Sequence, residues 1–216
     1  MNGSPAVRIV IADDHEVVRS GLRSIVECHE GWEVVGEAEN GKVALTASLA
    51  TKPDILITDY SLPLMNGVEV TRQVRQRLPK TEVLMFTMHD TDAIVSEALS
   101  AGARAFLLKS DAKKHLVSAI ESLAHHKPFF TGRLSERMLD SYLAKQNGKP
   151  GPVLTPRERM VVQLIAEGNS NKDISTILSV SIKTVESQRA AAMRKIEVTS
   201  TAGIVRYAIR NRIIEP

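Results

Sequence analysis

The sequence predicts two domains: a doubly wound α/β domain on a five-stranded parallel sheet, followed by a small all-α domain of four helices. Three observations carry this. Short apolar runs alternate with helical stretches over residues 1–127. A cluster of breakers, Asn147-Gly148-Lys149-Pro150-Gly151-Pro152, then ends the pattern. Beyond it every segment reads as helix. Strict strand–helix alternation means a parallel sheet covered on both faces, with ligands at the carboxyl ends of its strands.

The elements follow in order. The run 7–12 (VRIVIA) is the first strand. At 16–28, Val17, Val18, Leu22, Ile25 and Val26 fall at helical spacing. A second strand is predicted at 33–38, and a helix at 42–49 with Val43, Ala44, Ala47 and Leu49 apolar. The run 55–58 is a third strand ending at Asp59, followed by a helix at 68–77. A strand at 83–86, a helix at 91–100, a strand at 105–108 and a helix at 112–124 complete residues 1–127, the first domain. Residues 128–151 read as a linker containing one short helix at 134–143 (LSERMLDSYL).

Residues 152–216 form the second domain. Thr155-Pro156-Arg157-Glu158 is a capping box with Pro at the first helical position. The helix it opens presents Val161, Val162, Leu164 and Ile165 and stops near Gly168. Ser170 caps a second helix carrying Ile174, Ile177 and Leu178. Ser181 caps a third at 182–196, and a fourth runs over 200–212. The three-residue turn Ser179-Val180-Ser181 gives helix-turn-helix geometry.

Composition excludes several classes. The 216 residues are 43% apolar and 25% charged, near the average for soluble globular chains. No apolar run approaches the ~18 residues that span a bilayer. The N-terminus lacks a basic-then-apolar signal pattern, so a cytoplasmic protein with no membrane partner is expected. The single cysteine, Cys28, forms no internal disulfide, and no Cys/His spacing reads as zinc. Charge is uneven: −3 over 1–127, +2 over 128–149 and +4 over 150–216, summing to +3. A basic last part favours a polyanion partner.

Five residues fall where strands end. Asp13 and Asp14 follow the first strand, Asp59 the third, Thr87 closes the fourth, and Lys109 follows the fifth. An Asp after a strand is ordinarily a helix cap. Five suitable residues at one rim are a different matter. Three carboxylates repel, and a hard divalent cation such as Mg²⁺ relieves them. Lys109 adds positive charge and Thr87 a hydroxyl, so a phosphoryl group on the oxygen nucleophile Asp59 would be stabilised.

With Asp13-Asp14, Asp59 followed by Leu62-Pro63 and Gly67, then Thr87 and Lys109, residues 7–126 resemble the receiver domain of two-component response regulators, a flavodoxin-like fold. The resemblance implies that Asp59 is the phosphoacceptor, fed by a sensor histidine kinase. It implies Mg²⁺ bound by Asp14, Asp59 and the Ser61 backbone carbonyl, with Asp13 assisting. Thr87 and Lys109 would contact the phosphoryl group. Phe106 falls at the family's switch aromatic. On activation Thr87 would move toward the phosphoryl group and the ring would rotate inward. His89, two residues past Thr87, is read as a bystander.

Leu154-Thr155-Pro156-Arg157-Glu158-Arg159, then 165–174 (IAEGNSNKDI), then Lys183-Thr184-Val185-Glu186 resemble the LuxR-type helix-turn-helix over residues 152–214. A receiver followed by this domain resembles the NarL/FixJ subfamily. In the third helix Ile182, Val185, Ala192 and Ile196 form the expected inward stripe. Lys183, Glu186, Ser187, Ala190 and Arg194 form the expected major-groove face. Asn171, Lys172, Thr184 and Arg189 are candidate phosphate contacts. Glu186, Gln188, Ala190 and the pair Ala191-Ala192 depart from common family residues, which points to modest affinity and a different operator.

The expected function is a phosphorylation-controlled DNA-binding transcription regulator, not an enzyme. Phosphorylation would release a masked recognition helix and promote a homodimer on paired half-sites of double-stranded DNA. The last helix, with Ile204, Val205, Tyr207, Ala208 and Ile209, is the expected dimer surface. Two rivals remain at this level. An Asp-nucleophile phosphatase or phosphotransferase generally has a second Asp two residues on, where this chain has Ser61. A regulator acting through protein contacts alone rests on Glu186 and Ala190.

Overall fold

The computed structural model describes residues 6–132, 134–136 and 154–214. The chain divides into two units, Met1–Gln146 and Asn147–Pro216. The first alternates as β1 (Val7–Ala12), α1 (Glu16–Glu27), β2 (Trp32–Ala38), α2 (Gly41–Thr51), β3 (Ile55–Thr58) and α3 (Gly67–Arg77). It continues as β4 (Glu82–Thr87), α4 (Asp92–Ala101), β5 (Ala105–Leu108), a 3-10 turn at Lys109–Asp111 and α5 (Ala112–Ala124). The strand order is β2-β1-β3-β4-β5-β6, with every pairing parallel. The order reverses between β1 and β3, which opens a crevice at their carboxyl ends.

The five predicted strands form the core of the sheet, and a sixth extends it. β6 (Phe129–Phe130) pairs with β5, placing Phe129 opposite Ala105 and Phe130 opposite Phe106. Two residues are too few for periodicity to register, and the preceding Lys127-Pro128 reads as loop. Leu134, Ser135 and Glu136 are helical, as expected for the start of the 134–143 helix; residues 137–143 lie outside the described residues. Helices α2 and α3 begin one residue earlier than the apolar pattern. The side chains of Asn40 and Asn66 accept bonds from Val43 N and Glu69 N, making Gly41 and Gly67 the first helical positions.

Period-two alternation sorts the sheet into two cores. Ile9, Ile11, Ile55, Ile57, Leu84, Phe86 and Leu107 pack with Leu22, Val26, Leu116 and Ile120 of α1 and α5. On the other face Met85 and Phe106 pack with Val68, Ile94, Val95 and Ala98 of α3 and α4. Each such side chain removed from water contributes about 1.5–3 kcal/mol.

The second unit contains α6 (Pro156–Ala166), α7 (Asn171–Leu178), α8 (Ile182–Lys195) and α9 (Thr201–Arg210). Thr155/Glu158 and Ser170/Asp173 form reciprocal capping boxes, while Ser181 and Ser200 cap α8 and α9. Met160, Val161, Val162, Leu164, Ile174, Val185, Ala192, Ile204 and Ala208 are its core. Ile182 departs from its predicted inward stripe and is 45% exposed. It is the first residue of α8, one turn before the buried Val185, where packed neighbours give out. Of the apolar residues predicted to form a surface on the last helix, Ile204 and Ala208 are buried and only Ile209 is exposed.

Candidate functional site

Sheet register assembles the site. Ala12 pairs with Thr58, and Thr58 with Met85, so Asp13 and Asp59 leave neighbouring strands at one level. Thr87 pairs with Leu108, so Thr87 and Lys109 sit at the same rim on the next two strands. Asp13 and Asp59 are 0% and 3% exposed. Lys109 Nζ lies 2.7 Å from Asp13 Oδ2 and 2.8 Å from Asp59 Oδ2. Burial draws the Lys109 pKa down, but the Asp59 and Asp13 carboxylates outweigh it and hold the ammonium above the ordinary lysine value.

Further contacts hold Asp59 in place. Tyr60 N donates to Asp59 Oδ1 at 2.6 Å. Behind Asp59 the backbone of α3 approaches so closely that a Cβ on Gly67 would stand 1.9 Å from the Asp59 carbonyl oxygen. Gly67 N in turn donates to Tyr60 O at 2.9 Å. Thr87 is buried, and its hydroxyl accepts from His89 N at 3.3 Å. Asp14 is more open than either buried acid, with a side chain 34% exposed.

The donor chemistry suits a hard cation. Oxygens of Asp13, Asp14 and Asp59 lie within 4.8 Å of one another, together with a His15 ring nitrogen. Ser61, two residues past Asp59, has a buried hydroxyl with no hydrogen-bond partner. Carboxylate oxygens left incompletely satisfied at an open rim fit Mg²⁺, which binds through one or two carboxylates and keeps several waters. His15 escaped the sequence reading. Its Nδ1 is 2.9 Å from Asp14 Oδ1 and 3.3 Å from Asp13 Oδ1, and its position directly after the acid pair was the available signal.

Phe106, the expected switch aromatic, is 1% exposed, with Leu134 in the same buried cluster and Phe130 packed against that cluster. It packs with Tyr60, whose hydroxyl donates to Glu97 Oε2 at 3.1 Å.

In the second unit, the left-handed Ser179 ends α7 and Ser181 starts α8, which confirms the predicted turn. Lys183, Glu186, Ser187, Ala190 and Arg194 are all exposed, forming the outer face of α8. Lys172 is also exposed, whereas Asn171, Thr184 and Arg189 are half-buried. Thr184 Oγ1 stands 2.8 Å from Ser181 Oγ, within the cap. Arg189 donates to Asn171 Oδ1 at 3.3 Å and to Thr201 Oγ1 at 2.7 Å, tying α7, α8 and α9 together. A second tie was not legible in the sequence: Lys195 Nζ meets Glu158 Oε2 at 2.7 Å, joining the capping box of α6 to α8. Burial works against the Glu158 carboxylate, but bonds from Lys195 and Thr155 hold its pKa below the usual value.

A doubly wound sheet with an acid pair, a further buried aspartate and a bridging lysine, joined to a helix-turn-helix, is the arrangement of a DNA-binding response regulator. Residues 9–121 match the response regulator receiver domain family, and residues 152–208 the luxR family of bacterial regulatory proteins. The transcriptional regulatory protein MctR of Rhizobium johnstonii is 31% identical over 99% of this chain and 98% of its own length. The oxygen regulatory protein NreC of Staphylococcus epidermidis is 32% identical over 97% of this chain and all of its own. The RcsB response regulator of Salmonella typhimurium superposes with a TM-score of 0.69 at 30% identity, covering 98% of this chain and 100% of RcsB. RcsB in complex with DNA superposes at 0.58, with 30% identity over 94% of this chain and 97% of that one. The chain belongs to the NarL/FixJ-type response regulators and is a DNA-binding transcription regulator. Among the described residues no helix is long and apolar enough to cross a membrane.

Proposed function

We propose that Asp59 accepts a phosphoryl group from the phosphohistidine of a sensor histidine kinase in the cytoplasm, and that this controls DNA binding. The observation that carries the reading is the Lys109 ammonium held between the buried Asp13 and Asp59 carboxylates. An Asp59 oxygen attacks phosphorus, the P–N bond breaks, and its electron pair returns to the donor imidazole. Asp13, Asp14, Asp59 and the Ser61 carbonyl would hold Mg²⁺, which when bound neutralises charge on the phosphoryl oxygens. Lys109 pairs with a second phosphoryl oxygen, and the Thr87 hydroxyl donates to a third. Ser61 provides no acid or base, so the chain is a stoichiometric acceptor rather than a turnover enzyme.

Phosphorylation releases the DNA-binding domain and promotes a homodimer. One recognition helix reads few base pairs; two half-sites about one helical turn apart double the contacts. The RcsB structure with DNA supports a duplex as the partner. Lys183 and Arg194 donate in the major groove, Glu186 accepts from a cytosine amino group, and Ser187 and Ala190 fit between them. Lys172 contacts phosphate. Intact mass after incubation with acetyl phosphate and Mg²⁺ tests the acceptor. Wild type gains one phosphoryl group and Asp59→Asn gains none; equal uptake by both would place the acceptor elsewhere.

A further inference from the structure

The segment after α5 does more than connect. Phe129 N donates to Arg104 O at 3.0 Å, and β6 lies parallel along β5 with Phe130 opposite Phe106. The chain then turns: Thr131 O accepts from Leu134 N at 2.9 Å and Ser135 N at 3.0 Å. This returns Leu134 to the sheet, where it is 6% exposed and belongs to the same buried cluster as Phe106, Tyr60, Met85 and Ile94. Phe130 packs against that cluster as well. Beside the ring lies a pocket of about 290 Å³, partly open to solvent, whose lining includes Phe106, Leu108, Asp111, His115, Thr131 and Leu134.

These features make the position of Phe106 depend on its neighbours downstream in sequence. A buried ring that borders an open pocket has somewhere to go, and a packed interior tolerates such a move only if the side chains against the ring yield. Leu134 is the apolar side chain that the segment after α5 contributes to that lining. We propose that β6 and Leu134 form a strap that clamps Phe106 in its buried position, so that seating the strap and setting the receiver switch are one event. The strap is seated while the ring is buried, so the two arrangements favour each other. Leu134 stands close in sequence to the second unit. The link to activation rests on the reading of Asp59 as acceptor and Phe106 as switch.

Coupling is reciprocal, which supplies the test on the full-length chain. Beryllofluoride with Mg²⁺ serves as the phosphoryl probe, and hydrogen exchange by mass spectrometry reads peptides covering β5 and the strap. Beryllofluoride slows exchange of the strap amides in wild type. Leu134→Ala weakens beryllofluoride binding about tenfold and abolishes that slowing. Leu134→Met, which keeps the volume, restores both. Unchanged exchange in β1 and β3 verifies that Leu134→Ala is folded. The proposal is overturned if Leu134→Ala binds beryllofluoride as wild type does, or if the strap amides ignore a bound probe. Failure of wild type to bind the probe counts against the acceptor reading instead. The strap is then judged without it: exchange at β5 must quicken in Leu134→Ala and not in Leu134→Met, and equal β5 exchange in all three chains overturns it.

Discussion

Replacing Lys109 by Met keeps most of the stem and removes the charge that bridges two buried acids. The side chains of Lys109, Asp13 and Asp59 are 9%, 1% and 4% exposed, so little solvent replaces what is lost. At contact distances of 2.7 and 2.8 Å, each attraction is worth about 6 kcal/mol for an effective dielectric of ~20. Desolvation of the three ions offsets most of this, and breaking buried pairs typically costs 3–5 kcal/mol. The expected loss is about 3 kcal/mol. Trp32, the only tryptophan, lies in β2, so its fluorescence in a urea titration reports the receiver unit of the intact chain. Lys109→Met lowers the midpoint without changing the slope. Adding Asp13→Asn to Lys109→Met recovers much of the loss, because one orphaned charge is gone. An unchanged midpoint, or a double variant weaker than the single one, would refute the bridging account. The pH dependence follows from the raised pKa. The Lys109 contribution is complete below its unfolded value of 10.5 and disappears as pH rises through the higher folded value.

Other perturbations test separate parts. Gly67→Ala places a methyl against the Asp59 carbonyl, so the receiver loses at least about 2 kcal/mol and phosphoryl uptake by intact mass falls sharply. Glu158→Gln removes the charge that meets Lys195 and costs the second unit about 1–2 kcal/mol, read by hydrogen exchange in α6 and α8. In wild type that stabilisation is present above the ordinary glutamate pKa of 4.5 and fades as pH drops through the lower folded value. Glu186→Lys adds a cation to the exposed face of α8. In fluorescence-anisotropy titrations of a duplex at several salt concentrations, its affinity rises and its salt slope steepens by about 0.9 if the new charge reaches phosphate.

The sequence was most informative where chemistry and periodicity coincide. Asp13, Asp59, Thr87 and Lys109 were legible because a parallel sheet forces strand ends to one rim. Three caps of the second unit, Thr155, Ser170 and Ser181, were legible because Thr or Ser precedes each apolar period. What stayed hidden depends on three-dimensional neighbours. β6 is two residues long and gains its identity only from pairing with β5. His15 reads as an ordinary helix start until the fold turns its ring toward Asp14. Arg189 reads as a candidate phosphate contact, yet it is bonded to Asn171 and Thr201, residues brought close only by helix packing. Ile182 has the right spacing for the core, but spacing carries no information about where the neighbouring helices end.

Under the proposed function a phosphoryl group on Asp59 drives assembly. Light scattering of the intact chain, with and without Mg²⁺ and acetyl phosphate, tests it in wild type and in Asp59→Asn, with intact mass measured on the same samples. Phosphorylated wild type is expected to move from monomer toward dimer while Asp59→Asn stays where it began. Full phosphorylation of wild type with no change in size, or an equal shift in both chains, would contradict it.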